Sequence, residues 1–223
     1  MAKRKSKQSK QPQTTQRRTG SRREPGSAQM RWLVPTLAGL TGLVIVLVVV
    51  SLLGSRGSDS AADVELPPLP ERGDPALLED VEVYASEGQI HVAPGSPVSY
   101  ATMPPTSGSH YARATAAGFY SRTPPLGSLV HSLEHGAVII YYDPERLAQD
   151  KEAEEHLRTL ARGYRSTWMS VIVAPKPEPD SDPDSPYILT AWTVMLRLAE
   201  YDPARVEAFL AEYLGRGPEN RVR

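Results

Sequence analysis

The stretch from Leu129 to Pro144 reads Leu-Val-His-Ser-Leu-Glu-His-Gly-Ala-Val-Ile-Ile-Tyr-Tyr-Asp-Pro. Its second half, Ala137 to Tyr142, is a short apolar run closed by Asp143-Pro144, the pattern of a strand buried on both faces. Its first half carries His131 and His135, four residues apart. Upstream, Gly127-Ser128 can begin a short helix with Ser128 as its N-cap, and Gly136 can close that helix before the strand. A helix would put both imidazoles on one face. An extended backbone would also point them the same way, but roughly 13 Å apart. The two readings lead to different chemistry.

Downstream, Glu145 to Arg162 predicts a surface helix with Leu147, Leu157, Leu160 and Ala161 on its inner side. Met169 to Ala174 is a second apolar strand, ended by Pro175. Residues 176–186 form an acidic, Pro-rich loop, and Tyr187 to Met195 reads as a further strand. Asp202 and Pro203 open a last helix as N-cap and first residue. Its inner face is Val206, Phe209, Leu210, Tyr213 and Leu214, and Gly215 ends it. Upstream, Gln89–Val92 and Val98–Tyr100 read as short strands around Pro94-Gly95-Ser96-Pro97. Met103 to Pro125, with its prolines and small polar residues, is an ordered irregular loop. This order predicts an α+β domain over residues 77–218, a small mixed β-sheet with helices packed on it.

The rest of the 223-residue chain is of another kind. Residues 1–31 hold ten basic side chains and one acid, whereas the remainder holds fifteen basic and twenty-five acidic ones. That leader has little to bury and should be disordered. Residues 32–53 carry no charge and, as a helix, reach about 33 Å, enough to cross a bilayer core. The run is too long, and its leader too extended, for a cleaved signal peptide. The excess of Lys and Arg before it places the N-terminus in the cytoplasm and the acidic bulk outside the cell membrane, as a single-pass protein. Residues 54–76, rich in Gly, Ser, Asp and Pro, form a linker. The partners expected are the lipid bilayer and a protein of the cell envelope. An acidic domain argues against nucleic acid. The absence of cysteine removes disulfides, thiolate metal sites and Cys nucleophiles together.

Four of the five histidines, His91, His110, His131 and His135, fall within 45 residues. If the His131 segment is helical, His131 and His135 can share an ion, as in zinc sites built on one helix face. Glu134 lies at the edge of that face as a ligand or as the partner that orients an imidazole. His110, from the loop, supplies a third ligand, and Met103 a soft thioether suited to copper. His91 is a weaker candidate, and His156 reads as exposed in its charged helix. The expected cofactor is copper or zinc. Two alternatives stand beside this. The histidines can be core polar groups of an interaction module that uses the Pro-rich loop. The letters His-x-x-Glu-His also match the inverted zinc-protease motif, with Glu134 as general base. That motif normally lies inside a long helix, and here Gly136 follows at once. No Gly-x-Ser-x-Gly elbow and no phosphate-binding Gly loop is present.

Met103-Pro-Pro-Thr-Ser-Gly-Ser-His-Tyr111, Gly118-Phe-Tyr120, the Leu129–Pro144 block, Ala191-Trp192, Phe209-Leu-Ala-Glu-Tyr213 and Gly217-Pro218-Glu219 together resemble the bacterial family called domain of unknown function 3105. The resemblance covers about residues 91–219. It implies a one-pass membrane protein with this domain outside, and it implies no reaction. It focuses interest on His110, His131, Glu134 and His135.

Overall fold

The computed structural model describes residues 66–178 and 182–223. The leader, the expected membrane span at 32–53 and linker residues 54–65 lie outside the described residues. Among the described residues no helix is long and apolar enough to cross a membrane.

The fold is α+β, built on a seven-stranded mixed sheet. At its centre lies β5 (Val138–Tyr142), the apolar run of the opening stretch. It pairs parallel with β7 (Met169–Pro175) and antiparallel with β8 (Tyr187–Ala191). Beyond β8 come β9 (Val194–Leu198) and the short edge strand β1 (Glu82–Val83), both antiparallel. On the other side β4 (Gly118–Phe119) runs parallel to β7, which also pairs with β6 (Arg165–Ser166). A separate two-stranded parallel sheet joins β2 (His91–Val92) to β3 (His110–Tyr111).

Every residue of β5 is buried, because both faces of the sheet are covered. Val138, Ile140 and Tyr142 face helices α2 (Pro144–Gln149), α3 (Lys151–Gly163) and α4 (Pro203–Tyr213), in a core with Leu157, Leu160, Phe209 and Leu210. Ala137, Ile139 and Tyr141 face α1 (Leu126–Glu134), in a second core with Leu129, Leu133, Ile172 and Ile188. The strand period of two thus divides one apolar run between two layers. Leu129 and Leu133 are fully buried, and each contributes on the order of 2 kcal/mol. They hold α1 against the sheet, and the histidines of α1 lie on its other side.

Several elements differ from the sequence reading. The helix expected over 145–162 is two, broken where Asp150 takes an extended backbone and caps α3 by accepting from the Ala153 amide. A side chain that caps a new helix competes with continuing the old one. The strand expected over 187–195 is a hairpin, turning at Trp192-Thr193 with Thr193 at φ 62°. No Gly or Asn announces that turn. Tertiary bonds hold it: the Thr193 amide donates to the Thr106 carbonyl (2.9 Å), and the Tyr84 amide to the Thr193 carbonyl (2.8 Å). Val98–Tyr100 forms no strand. Helix α1 begins before Ser128, with Pro125 at its N-cap and no side-chain cap bond. His156 is half-buried rather than exposed: its Nδ1 meets the Tyr201 hydroxyl at 2.8 Å. Asp202 caps α4 as its position suggests, accepting from the Ala204 and Arg205 amides.

Candidate metal centre

The helical reading of His131 and His135 holds. His135 is the C-cap of α1 with helical backbone, and its amide donates to the His131 carbonyl. The two Nε2 atoms lie 2.9 Å apart. Gly136, at φ 93°, then turns the chain into β5, a conformation glycine adopts without strain.

His110 and His91 arrive on the small parallel sheet. Strands β2 and β3 pair His91 directly with His110, so both side chains leave the same face. Their ring centroids are 4.6 Å apart, and those of His91 and His131 are 4.9 Å apart. Gly127 lets this sheet close on α1. A Cβ there would meet the Tyr111 ring at 2.9 Å. His91, the weaker candidate in the sequence, joins the cluster as well, though its side chain is half-exposed where His110 is buried. His110 meets His131, with ring centroids 5.1 Å apart, but the expected trio falls into two groups: His110 stands with His91 and His131, and His135 with His131 and Glu219.

Hydrogen bonds to backbone fix the tautomers. A carbonyl can only accept, so His110 Nδ1 donates to the Gly108 carbonyl (2.8 Å) and His131 Nδ1 to the Tyr111 carbonyl (2.6 Å). Each neutral ring therefore presents an Nε2 lone pair. Nε2 of the fully buried His110 lies 2.9 Å from Oε2 of Glu134, itself nearly buried. The approach is off the hydrogen-bond direction, and neither atom has another hydrogen-bond partner. The same carboxylate oxygen is 3.9 Å from His91 Nε2.

The C-terminal tail completes the cluster. Gly217 packs against the end of α1 so closely that a Cβ would lie 2.2 Å from the Glu134 carbonyl oxygen. The Gly215 amide donates to the Gly136 carbonyl, and the Glu219 amide to the Glu134 carbonyl. This brings Glu219 Oε2 to 2.9 Å from His135 Nε2. Trp168, on the turn before β7, lies 4.6 Å from the His135 ring. Burial lowers the His135 pKa, and the neighbouring His131 adds to that, against the pull of Glu219 and Glu134. The ring is thus held neutral, the form that binds metal.

Among the described residues two groups could hold a metal ion: His91, His110 and His131, and His131, His135 and Glu219, the donor atoms in each lying within 4.8 Å of one another. Met103 is placed by its backbone, whose carbonyl accepts from Arg197 Nη2 on β9 (3.0 Å). Sequence reasoning missed Glu219 and Trp168 as members of the site. The signal for Glu219 was the Gly217-Pro218-Glu219 block, in which a glycine permits the close approach. The protease motif has the wrong setting: α1 is nine residues long and stops at Glu134, whose carboxylate lies against His110.

One family model matches residues 91–223, with the description "Protein of unknown function (DUF3105)". No curated protein and no solved structure matches the chain.

Proposed function

The chain belongs to the DUF3105 family, and we propose that it is a membrane-anchored, extracytoplasmic protein that binds one copper or zinc ion through its histidine cluster, for binding, delivery or assembly in the cell envelope. The observation that carries this reading is an excess of lone pairs over hydrogens. With its hydrogen on Nδ1, the His110 ring brings an Nε2 lone pair to 2.9 Å from Glu134 Oε2, and no hydrogen bond joins the two buried atoms. His135 Nε2 stands 2.9 Å from both His131 Nε2 and Glu219 Oε2, and one N–H cannot serve both. Buried lone pairs without donors are costly, and a cation satisfies several of them at once. Imidazole and carboxylate donors suit zinc and copper(II). The Nδ1–H to carbonyl bonds of His110 and His131 are the partners that orient metal-ligating histidines. The basic leader and the uncharged run at 32–53 support the location.

A second reading rests on the same 2.9 Å contact. Protonated His110 would pair with Glu134 as a buried ion pair, and no metal would be needed. Titration separates the two. The full chain, stripped by chelator, should bind one equivalent of copper(II) or zinc well below about 10 μM, some 7 kcal/mol, and His131→Ala should abolish that binding. Affinity no tighter than tens of micromolar for both ions, or an unaffected His131→Ala variant, overturns the metal reading.

A further inference from the structure

The two donor groups meet at His131, and this governs how an ion passes through the centre. Nδ1 of His131 is committed to the Tyr111 carbonyl, so Nε2 is its one open donor. His131 belongs both to the group with His91 and His110 and to the group with His135 and Glu219. An imidazole nitrogen has a single lone pair, in the plane of the ring, and binds one ion at a time. The groups are therefore overlapping positions for one ion, not separate sites for two.

The positions are unequal. The inner one offers three imidazoles, with the Glu134 carboxylate 2.9 Å from His110 and 3.9 Å from His91. His110 there is fully buried and His131 nearly so, while the His91 side chain is 50% exposed, so the two positions differ in their donors rather than in their exposure. The outer one offers two imidazoles and Glu219, whose side chain is 47% exposed and belongs to the C-terminal tail. Four donors close a tetrahedral shell, whereas three leave a coordination place open to an incoming ligand.

Resting on the metal-binding reading above, we propose that this is a two-position transfer centre. The ion rests on the inner group and is exchanged with external ligands at the outer one, and His131 stays bound throughout. The step is ligand exchange without redox change. Bonds from the ion to His135 and Glu219 break as bonds to His91, His110 and Glu134 form. The external ligand is any species whose own nitrogen or carboxylate donor can enter the open place.

The test uses the full chain loaded with zinc, and follows release to a chromophoric chelator by stopped flow. At saturation the chain should hold one zinc ion. Glu219→Gln, a change on a half-exposed side chain that leaves the fold intact, should slow transfer by roughly tenfold, and His135→Ala by at least as much. His91→Ala, which weakens the resting position, should speed it. Glu155→Gln, on the far face of α3, should transfer as the unaltered chain does. Two ions per chain at saturation, or wild-type transfer by Glu219→Gln, overturns the proposal. An unaltered chain that binds no zinc is seen before any transfer is measured, and it overturns the metal reading instead.

Discussion

Glu134→Gln asks whether a cation or a proton reconciles Glu134 with His110. Oε2 lies 2.9 Å from an imidazole nitrogen whose hydrogen sits on the other side of the ring. Glutamine has the same shape, and its amide nitrogen donates. Turned toward His110, it removes the charge beside Nε2 and places a donor where the carboxylate oxygen stood. The metal-free domain should therefore keep its thermal midpoint or gain slightly. The metal-loaded domain should lose. Removing such a donor costs about 10–100-fold in metal affinity, or about 1.4–2.7 kcal/mol. At free zinc about 100 times the dissociation constant, binding stabilises the unaltered chain by about 2.7 kcal/mol. With the constant raised tenfold that falls to about 1.4 kcal/mol, and with a hundredfold rise to about 0.4 kcal/mol. In a domain of this size each kcal/mol moves the midpoint by about 2–4 °C. A zinc-induced rise of roughly 5–11 °C should shrink to roughly 1–6 °C. Calorimetry at buffered free zinc, with and without metal, reads both quantities. If the variant keeps the full rise, the carboxylate is not a donor. If its metal-free midpoint drops by several degrees, Glu134 was neutralising a protonated His110, and the lone-pair argument fails.

Two further outcomes follow from the packing. Gly217→Ala puts a methyl 2.2 Å from the Glu134 carbonyl oxygen and 2.3 Å from the Gly136 nitrogen, both backbone atoms. The tail must lift, at about 1–3 kcal/mol, and trypsin should cut after Arg216 faster than in the unaltered chain. An unchanged cutting rate would show that the tail was not seated there. The His156 pKa is lowered by burial, against the pull of Glu207 at 3.7 Å, with the Tyr201 hydroxyl at its Nδ1. The unfolded imidazole takes up a proton near pH 6.5 and the folded one resists. Stability should therefore fall as pH drops through that value and return above it. His156→Gln should flatten the slope of urea midpoint against pH, and an unchanged slope would refute this account.

The elements most legible in the sequence were those whose cause is local. Ala137–Tyr142 reads as a buried strand because both its faces need apolar residues, and Asp202-Pro203 reads as a helix start because the cap acts within three residues. The hairpin at Trp192-Thr193 was not legible. Its turn residues carry no preference for it, and the bonds that hold it come from Thr106 and Tyr84, far away in the chain. Asp150 shows the intermediate case. An acid among helix formers reads as one more surface charge until a second helix start competes for its side chain.

The site divides along the same line. His131, Glu134 and His135 lie on one short helix, so spacing alone gives their mutual geometry. His110 needed only a loop to be brought back. His91 was undervalued because its place depends on a two-residue parallel ladder, and so short a pairing leaves no periodic trace. Glu219 is the more instructive miss. No spacing of donors around it suggests a ligand, and it reaches His135 because two glycines, Gly136 and Gly217, let backbone meet backbone where any side chain would intrude. The informative letters for a donor brought by such contact are the glycines that permit the approach, and the donor is then sought within a few residues of them. By that logic the Gly215–Glu219 tail belongs to the proposed metal centre. A deletion after Leu214 should therefore impair metal exchange while leaving the two cores around β5 in place.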